Sequence, residues 1–313
     1  MEFTSSANSF IKTLLITLFV FNKGFGQWSD WWMYSGFSGP SNWRINKDWI
    51  LCSEGKLQSP INISAETLLF DPGLKDVLVT GNRVMGNLTN LGNDVTFFVR
   101  GARSVTLSLG PLPYVYKLSQ IKFHFGRKEG MGTEHEINGR RFDAEIHLMA
   151  YNSDLFHNFT AAERAPRGLT IISLFVKANR DSTHTEINKI TSALSKIQFR
   201  GNTTLIEELS IQRILPENLQ YMTYEGSVTQ PGCYETVTWI LLNRPIFIGE
   251  HQLNALRTLR RDTPENPQAF MFDNVRPVQP LHRRTVRTNI NTNSKCPIRR
   301  EVRYKVNKKV IKQ

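Results

Sequence analysis

Long hydrophobic runs, cysteines and recognisable nucleophiles are scarce in this sequence of 313 residues. Beyond residue 26 no stretch is long and apolar enough for a membrane helix, so we expect no membrane span. Three cysteines permit one disulfide and leave one thiol over. No nucleophile stands beside a base at a readable spacing, which argues against a hydrolase that forms a covalent intermediate.

The first 26 residues have the layout of a secretory signal peptide. Lys12 precedes an apolar run at residues 14–21, and two glycines follow shortly before Gln27, where we expect cleavage. The run is too short to span a bilayer, although a retained N-terminal anchor is the alternative interpretation. We therefore predict a secreted, extracellular protein, whose oxidising surroundings favour a disulfide.

Acidic residues are nearly absent from the C-terminal end of the chain. The formal net charge is +12, and the residues from Leu281 to Gln313 include eleven lysines or arginines and a single acid, Glu301. We predict a basic tail at residues 286–313. Because a secreted chain does not normally meet nucleic acid, an extracellular polyanion or an acidic protein is the expected partner. A tail that is merely solvated is the alternative.

Alternation of apolar and polar residues predicts most of the fold. Short alternating segments between residues 78 and 109 are separated by glycine and asparagine turns, which indicates many antiparallel strands. A continuous apolar run at 168–176 predicts a buried strand, and helical spacing of apolar residues predicts a short surface helix within 185–196. The expected fold class is α+β, with a large, mainly antiparallel, twisted central β-sheet and short surface helices.

The most informative stretch lies in the middle of the chain. Two segments, 120–125 and 144–148, alternate strictly between apolar and polar residues, as strands do when successive side chains face opposite ways. As antiparallel neighbours they would place Lys122, His124 and His147 on one face. Without further information, this pattern also fits an ordinary polar strand face.

These residues resemble the zinc-site segment of the alpha-class carbonic anhydrases. In that family two histidines at i and i+2 of one strand and a third on the next strand bind zinc, and water takes the fourth position. His124 and His147 match the second and third histidines, and Lys122 stands in place of the first. The motifs QSPINI at 58–63 and NVRPVQPL at 274–281 extend the resemblance. We expect one carbonic anhydrase-like domain at residues 27–285.

The lysine is incompatible with the family's zinc site. An ammonium about 4 Å from a divalent ion is repelled by roughly 8 kcal/mol at an effective dielectric constant of about 20. Neutralising a lysine at pH 7 costs about 4 to 5 kcal/mol instead. Two histidines rarely hold zinc alone, so the resemblance predicts a vestigial site without a metal or other cofactor. We also expect Lys122 to stay charged and pair with Glu134 or Glu145, and Lys122→His to restore zinc binding.

Other positions of the family's site are partly retained. The proton-shuttle histidine of the family corresponds to Asn93, and an amide does not titrate near neutral pH. Glu134 and Thr229 match the pair that orients the zinc-bound hydroxide. Gln120 and Asn274 match groups that orient the zinc histidines. By the same resemblance, a buried hydrogen-bond network is expected among Ser59, His135, Glu145 and Tyr224.

The resemblance also implies covalent features of an extracellular protein. It pairs Cys52 with Cys233 and leaves Cys296 unpaired. Of the four glycosylation sequons, we expect the one at Asn62 to stay unmodified, because the family packs its motif against the sheet. Glycans are predicted on the other three, Asn87, Asn158 and Asn202.

The C-terminal end is similar to that of one branch of the family, the secreted, acatalytic carbonic anhydrase-related proteins X and XI. This resemblance implies neuronal cell-surface partners, neurexin-type receptors among them. We predict that Cys296, Arg299 and Arg300 contact the partner and that Cys296 forms an intermolecular disulfide, since neighbouring cations favour the reactive thiolate. A thiol that is capped by a small molecule, or that bonds back to the domain, is the alternative.

These patterns predict a secreted, catalytically inactive carbonic anhydrase-related protein that acts by binding an extracellular partner. Two other functions stay open. One is an enzyme, either a residual zinc-dependent hydratase (carbonate dehydratase) or a hydrolase that uses Lys122 or His124. The other is a matrix protein that binds polyanions, and raised salt concentrations would separate it from a binder of a packed protein surface.

Overall fold

The computed structural model describes residues 32–267 and 269–291. The predicted signal peptide and the predicted partner-binding residues Cys296, Arg299 and Arg300 lie outside the described residues. Helices in the described part are short connections between strands. The α-helices are α1 (Leu51–Glu54), α2 (Phe159–Glu163), α3 (Thr185–Thr191), α4 (Ile211–Ile214) and α5 (Glu250–Leu256), and 3-10 helices occupy Pro40–Ile45, Lys47–Trp49, Ala65–Thr67 and Leu194–Ile197.

Strands make up most of the fold. They are β1 (Asn62–Ile63), β2 (Leu69–Phe70), β3 (Val77–Thr80), β4 (Arg83–Asn90), β5 (Val95–Arg100), β6 (Thr106–Leu109), β7 (Leu112–Phe125), β8 (Glu136–Ile137), β9 (Ala144–Asn152), β10 (Leu169–Asn179), β11 (Thr203–Ser210), β12 (Tyr221–Gly226), β13 (Val237–Leu242), β14 (Ile246–Gly249) and β15 (Arg287–Thr288).

Thirteen strands of the described chain form one large sheet, whose main path runs β11-β4-β5-β7-β9-β10-β13-β12-β15-β2. β6 pairs with β3 and β7, and β14 pairs with β10. Most neighbours are antiparallel, whereas β10 runs parallel to β13 and β14, and β15 runs parallel to β2. β1 and β8 form a separate parallel pair. The predicted fold class is confirmed.

The central strands β7 and β9 separate two buried layers, because successive side chains point to opposite faces. On one face β7 contributes Ile121 and Phe123 to a large apolar core. On the other face Met149 of β9 packs with Trp239 of β13 in a smaller apolar layer. The polar residues predicted on β7 and β9 alternate with the large core, so they belong to this second face.

The helix predicted within residues 185–196 is divided in two. α3 ends at Thr191, and a 3-10 helix follows at Leu194–Ile197. Ile187 and Ile190 of α3 pack into the large core, as the helical spacing indicated. The hydroxyl of Thr191 donates to the backbone carbonyl of Ile187 at 3.1 Å, an interaction that weakens helices locally. No helix in the described part of the chain is long and apolar enough to cross a membrane.

The folded unit extends past the boundary predicted between residues 285 and 286. β15 pairs with β12 on one side and β2 on the other. Val286, Thr288 and Ile290 are buried, and Arg287 Nη1 lies 3.0 Å from Asp71 Oδ2. Because alternate side chains of this segment pack into the fold, the domain reaches at least Ile290, and the predicted boundary lies too early.

Candidate functional site

The two strands predicted from strict alternation are direct neighbours. β7 and β9 pair antiparallel, with Lys122 opposite His147 and His124 opposite Glu145. Lys122 is 9% exposed, His124 1% and His147 2%. The structure thus brings the three predicted residues together on one buried face of the sheet.

The ammonium of Lys122 pairs with Asp94, and the predicted partners, Glu134 and Glu145, were wrong. Lys122 Nζ lies 3.3 Å from Asp94 Oδ2 and also donates to Gln230 Oε1. Asp94 immediately precedes β5, and the pairing of β5 with β7 brings it beside the lysine. Glu145 is engaged by other donors, which are described below. The predicted ion pair therefore exists, with a different carboxylate.

Asp94 is held in its ionised form. Burial opposes ionisation, but the charge of Lys122 and hydrogen bonds from Thr96 and Gln230 outweigh it, so the pKa of Asp94 lies below its ordinary value. Thr96 Oγ1 donates to Asp94 Oδ1 at 2.5 Å, and Gln230 Nε2 donates to Oδ2. Gln230 Nε2 also donates to the Tyr34 hydroxyl at 3.3 Å. Lys122, Asp94 and Gln230 form a compact polar group, which we call the Lys122 cluster.

His124 is oriented by the segment around Asn274. A backbone carbonyl only accepts hydrogen bonds, so His124 Nδ1 must donate to the carbonyl of Asn274, at 2.7 Å. The side chain of Asn274 accepts from the backbone N–H of Phe125 at 2.9 Å, which ties the same segment to β7. The predicted orienting role of Asn274 is fulfilled by its backbone. Among the described residues, no hydrogen bond joins Gln120 to either histidine.

His147 is oriented by Glu145. The carboxylate of Glu145 accepts hydrogen bonds from His147 Nε2 at 2.8 Å, from His135 Nδ1 at 2.8 Å and from the Ser173 hydroxyl at 2.7 Å. It also accepts from the backbone N–H groups of Glu134 and His135. Burial raises the pKa of Glu145, but the two histidines and these donors outweigh it and hold the pKa well below its usual range.

The predicted buried network beneath the site is present. His135 Nε2 lies 2.7 Å from the Tyr224 hydroxyl, which lies 2.9 Å from Ser59 Oγ. With the bond from His135 to Glu145, all four predicted members are connected. Burial raises the pKa of the Tyr224 hydroxyl, so it stays protonated and available as a donor. The network positions Glu145 and, through it, His147.

Glu134 and Thr229, which the resemblance matches to the pair that orients the hydroxide, are not joined by a hydrogen bond in the described part of the chain. Glu134 Oε1 accepts from the backbone N–H of Arg276 at 2.9 Å, whereas Oε2 is buried and has no hydrogen-bond partner among the described residues. Oε2 lies 3.7 Å from His124 Nε2 and 3.9 Å from His147 Nδ1. Oε2 of Glu134 therefore faces the two histidines.

Asn93 lies where the resemblance placed a proton shuttle. Its side-chain Nδ2 donates to the backbone carbonyl of Trp32 at 2.8 Å. An amide offers no titratable proton near neutral pH, and this one is engaged in holding the N-terminal segment. Asn93 therefore has a structural contact in the described chain.

Comparison with known proteins agrees with this geometry. The model of the eukaryotic-type carbonic anhydrase family matches residues 38–290. The chain belongs to this family. It is 40% identical over 271 residues to "Putative carbonic anhydrase-like protein 2" from Caenorhabditis elegans, and the match covers 84% of this chain and 80% of that relative. The predicted family is confirmed, and the closer likeness to proteins X and XI stays a prediction.

The residues of this carbonic anhydrase family member do not fit a zinc site of three histidines. By the resemblance, Lys122 matches the first of the three positions, and Asp94 and Gln230 hold its ammonium. The same resemblance leaves only His124 and His147 of that ligand set. No reaction step through a zinc ion of the family type can be derived from these side chains.

The disulfide implied by the family resemblance is confirmed. Cys52 and Cys233 are bonded across 181 residues and pack with Trp43 in a small apolar cluster. A crosslink over a span of this length contributes about 5 kcal/mol by loop-closure entropy. The backbone N–H of Cys233 donates to the carbonyl of Gln230 at 2.9 Å. The crosslink therefore holds the loop that supplies Gln230 to the Lys122 cluster.

The glycosylation sequons lie at different depths. Asn62 is exposed, and its side-chain oxygen accepts from the backbone N–H of Gly139 at 2.9 Å, so the packing expected to protect it does not cover its side chain. Asn158 is exposed and caps α2. Asn87 and Asn202 are half-buried. Glycosylation of Asn87, Asn158 and Asn202 stays a prediction.

Sequence reasoning missed Asp94. The residue stands next to Asn93, ahead of a strand that becomes buried, and an acid at such a place is a weak signal on its own. Its pairing with Lys122 depends on the register between β5 and β7, in which Thr96 lies opposite Lys122. The only usable hint was chemical, because a buried ammonium needs a carboxylate close by.

Proposed function

We propose that this chain is a secreted, catalytically inactive carbonic anhydrase-related protein that acts by binding an extracellular protein. The observation that carries the proposal is Lys122 at the first zinc-ligand position, with its ammonium paired to Asp94. Because a neighbouring carboxylate compensates the buried charge, the lysine is a stable part of the site. A site that holds a lysine in this way does not assemble three neutral imidazoles around a metal.

Two other changes support the loss of hydration chemistry. The two residues matched to the pair that orients the attacking hydroxide, Glu134 and Thr229, are not joined by a hydrogen bond in the described chain. Glu134 Oε2 faces the histidines and accepts no hydrogen bond from Thr229. Asn93 replaces a titratable proton carrier and donates to the backbone of Trp32. Each change removes a different requirement of the reaction, so restoring one alone would leave the others unmet.

The partner side of the proposal rests on the family branch and on charge. The resemblance to the secreted proteins X and XI favours a neuronal cell-surface receptor of the neurexin type. The end of the chain is strongly basic, with Arg299 and Arg300 close to Cys296. We propose that this segment contacts the receptor and that Cys296 can join it through an intermolecular disulfide. The relative's name, carbonic anhydrase-like, agrees with a function other than catalysis.

The second candidate function is residual zinc-dependent hydration of carbon dioxide. The observation that favours it is the retention of His124 and His147, both oriented as metal ligands would be. This function requires turnover with two zinc histidines instead of three and without a proton carrier. The first proposal requires no turnover at all.

The deciding experiment uses the full secreted chain, purified and supplied with one equivalent of Zn²⁺. We expect no hydration of carbon dioxide above the buffer rate, with an active member of the family as the positive control. Turnover that depends on zinc would refute the claim of inactivity.

Binding is tested separately, on neuronal cells and on a neurexin-type ectodomain. Saturable binding at about 0.15 M salt that persists at about 0.5 M salt is expected for a packed protein interface, since shorter screening lengths mainly weaken exposed charge contacts. Binding that disappears at the higher salt concentration would identify a polyanion as the ligand. Absence of binding to any cell surface would refute the proposed role.

A further inference from the structure

A polar pocket that shares no residue with the Lys122 cluster lies where the segment before α3 meets α4 and β14. Its volume is about 560 Å³, within the range of about 300 to 1,000 Å³ that is typical of small-ligand sites. Its lining consists of Ser182, Thr183, His184, Thr185, Glu186, Arg213 and Phe247. Phe247 is the one apolar side chain among these lining residues, so the pocket does not suit an apolar ligand.

The segment that forms the pocket is fixed by Gln252 of α5. The backbone N–H of His184 donates to Gln252 Oε1 at 3.0 Å, and Gln252 Nε2 donates to the carbonyl of His184 at 3.0 Å. Gln252 is fully buried, and its Oε1 also accepts from the backbone N–H of Gly249 at 2.9 Å. The pocket is therefore largely preformed, as small-molecule sites usually are.

One carboxylate oxygen at this pocket lacks a hydrogen-bond partner in the described chain. Glu186 is 0% exposed, and its Oε2 accepts from the backbone N–H of Ser210 at 2.8 Å and lies 2.9 Å from Lys189 Nζ. Oε1 accepts from no described residue, and Arg213 Nη1, at 3.8 Å, is too far away to donate. Burial raises the pKa of Glu186, but Ser210 and Lys189 outweigh it and keep the pKa below its ordinary value. Because buried polar atoms are almost always satisfied, this ionised oxygen indicates a missing donor.

Other polar groups of the lining are also uncommitted. His184 Nδ1 accepts from the backbone N–H of Ile187 at 3.4 Å, and burial lowers the pKa of the imidazole, so the neutral ring carries its hydrogen on Nε2. Within the described chain no hydrogen bond engages this Nε2 or the hydroxyls of Ser182, Thr183 and Thr185. The pocket thus offers both donors and acceptors to a ligand.

Phe247 adds an aromatic face. Its neighbours on β14, Ile246 and Ile248, are buried, so the alternation of the strand turns Phe247 outward, where it is 41% exposed. A sugar ring can pack its C–H face against such an aromatic ring while its hydroxyls reach nearby polar groups.

The charges of the pocket disfavour a small ion as the ligand. An anion would be repelled by the ionised Glu186, and a metal cation would be repelled by the guanidinium of Arg213 and the ammonium of Lys189 beside the same carboxylate. A neutral ligand with several hydroxyls avoids both penalties, because each hydroxyl can donate and accept. Such a ligand can donate to Glu186 Oε1 and accept from Arg213.

We propose that this pocket binds a neutral hexose at the end of an extracellular glycan. One hydroxyl donates to Glu186 Oε1, a neighbouring oxygen accepts from Arg213, and the C–H face of the ring packs on Phe247. The extracellular source of the sugar rests on the proposed secretion, whereas binding in the pocket does not. None of the lining residues belongs to the site around Lys122, so this inference and the proposed lack of catalysis fail separately.

The test uses the full secreted chain and the methyl glycosides of glucose, galactose, mannose and N-acetylglucosamine, in which the methyl group stands for the rest of the glycan. Saturation-transfer difference NMR detects binding, and a titration gives the Kd. We expect at least one of the four to bind with a Kd of about 1 mM, as is typical of a ligand of this size. Methyl glucuronide and inorganic sulfate are the anionic probes and should bind roughly tenfold more weakly, because Glu186 repels them.

Three variants change the pocket. Arg213→Ala and Phe247→Ala alter exposed side chains, and Glu186→Gln keeps an oxygen for the backbone N–H of Ser210 but replaces the unsatisfied acceptor with a donor. Arg213→Ala and Glu186→Gln should each raise the Kd about tenfold, as expected for hydrogen bonds to charged groups. Phe247→Ala should raise it about fivefold.

Arg83→Ala and Phe37→Ala are the matched controls, since they remove an exposed arginine and an exposed phenylalanine outside the lining. Both should bind the glycoside like the unmodified protein. Thermal unfolding checks that every variant is folded. If Glu186→Gln does not fold, the two variants at exposed side chains, Arg213→Ala and Phe247→Ala, decide.

The proposal is overturned if none of the four glycosides shows saturation transfer at concentrations up to about ten times the expected Kd. Binding that is unchanged in Arg213→Ala and Phe247→Ala, or weakened equally in the controls, would place the sugar elsewhere and also overturn it. Preference for methyl glucuronide or sulfate over the neutral glycosides would overturn it as well, because the pocket would then be an anion site.

Discussion

Replacing Asp94 with asparagine tests the buried ion pair between Asp94 and Lys122. Lys122 is 9% exposed and Asp94 1%, and the two charged atoms lie 3.3 Å apart. At an effective dielectric constant of about 20, unit charges at this separation attract by roughly 5 kcal/mol. Removing one partner of a buried pair costs about 3 to 5 kcal/mol, because the other charge is left uncompensated. We expect Asp94→Asn to lower the free energy of unfolding by that amount.

Denaturant unfolding at neutral pH measures the loss, and a second substitution shows its origin. Lys122→Met in the Asp94→Asn background removes the stranded charge, so the double variant should be more stable than Asp94→Asn alone. The matched control is Glu208→Gln, which breaks an exposed pair with Arg83 whose side chains are 52% and 42% exposed. This control should lose less than about 1 kcal/mol.

The change of stability with falling pH provides an independent check on the contribution of the Asp94 carboxylate. The pKa of Asp94 is lowered in the folded protein. The Asp94 carboxylate therefore contributes fully to stability above its pKa in the unfolded chain, which is about 3.9. This contribution is lost as the pH falls through the lower pKa of the folded protein. The stability gap between the unmodified protein and Asp94→Asn should be constant near neutrality and shrink in that acid range. A loss below about 1 kcal/mol, or no recovery in the double variant, would refute the reasoning.

Three more outcomes are expected. Glu145→Gln should lower the free energy of unfolding by about 2 to 4 kcal/mol, because a buried carboxylate with a depressed pKa is lost. The free energy of unfolding of this variant should also fall less steeply with pH below about pH 4.3, and an unchanged pH dependence there would contradict the prediction. Cys52→Ser should lower stability by about 2 to 5 kcal/mol in thermal unfolding, and reductant should then have no further effect. Cys296→Ser should abolish a reducible high-mass species on non-reducing electrophoresis with the receptor, and persistence of that species would exclude Cys296 as the link.

Local patterns in the sequence were sufficient for the strands and for part of the site. Period-two alternation placed Lys122, His124 and His147 on one face, and β7 and β9 pair as that pattern requires. Family motifs located the disulfide and the network from Ser59 to Glu145. These features follow from side chains that are close in sequence, or from motifs that can be matched residue by residue.

Features that depend on contacts between distant segments were predicted poorly. Asp94 reaches Lys122 through the register of β5 on β7, and a shift of one residue would turn it to the other face. Oε2 of Glu134 lies close to both histidines, which no motif indicates. The end of the domain was placed too early, because the segment after residue 285 looks like a basic tail until β12 and β2 bury it.

The sequence by itself determined which chemical groups are available: a lysine and two histidines on adjacent strands, an asparagine at the position that the resemblance matches to a titrating group, and a strongly basic C-terminal end. Only the tertiary structure decided how these groups are used, because charge compensation in a buried site depends on which atoms lie within a few ångströms. It placed Asp94 against Lys122, and it left Glu134 facing two imidazole nitrogens. The same residues in another register would make neither contact, since strand pairing sets these distances and the linear order of the chain does not.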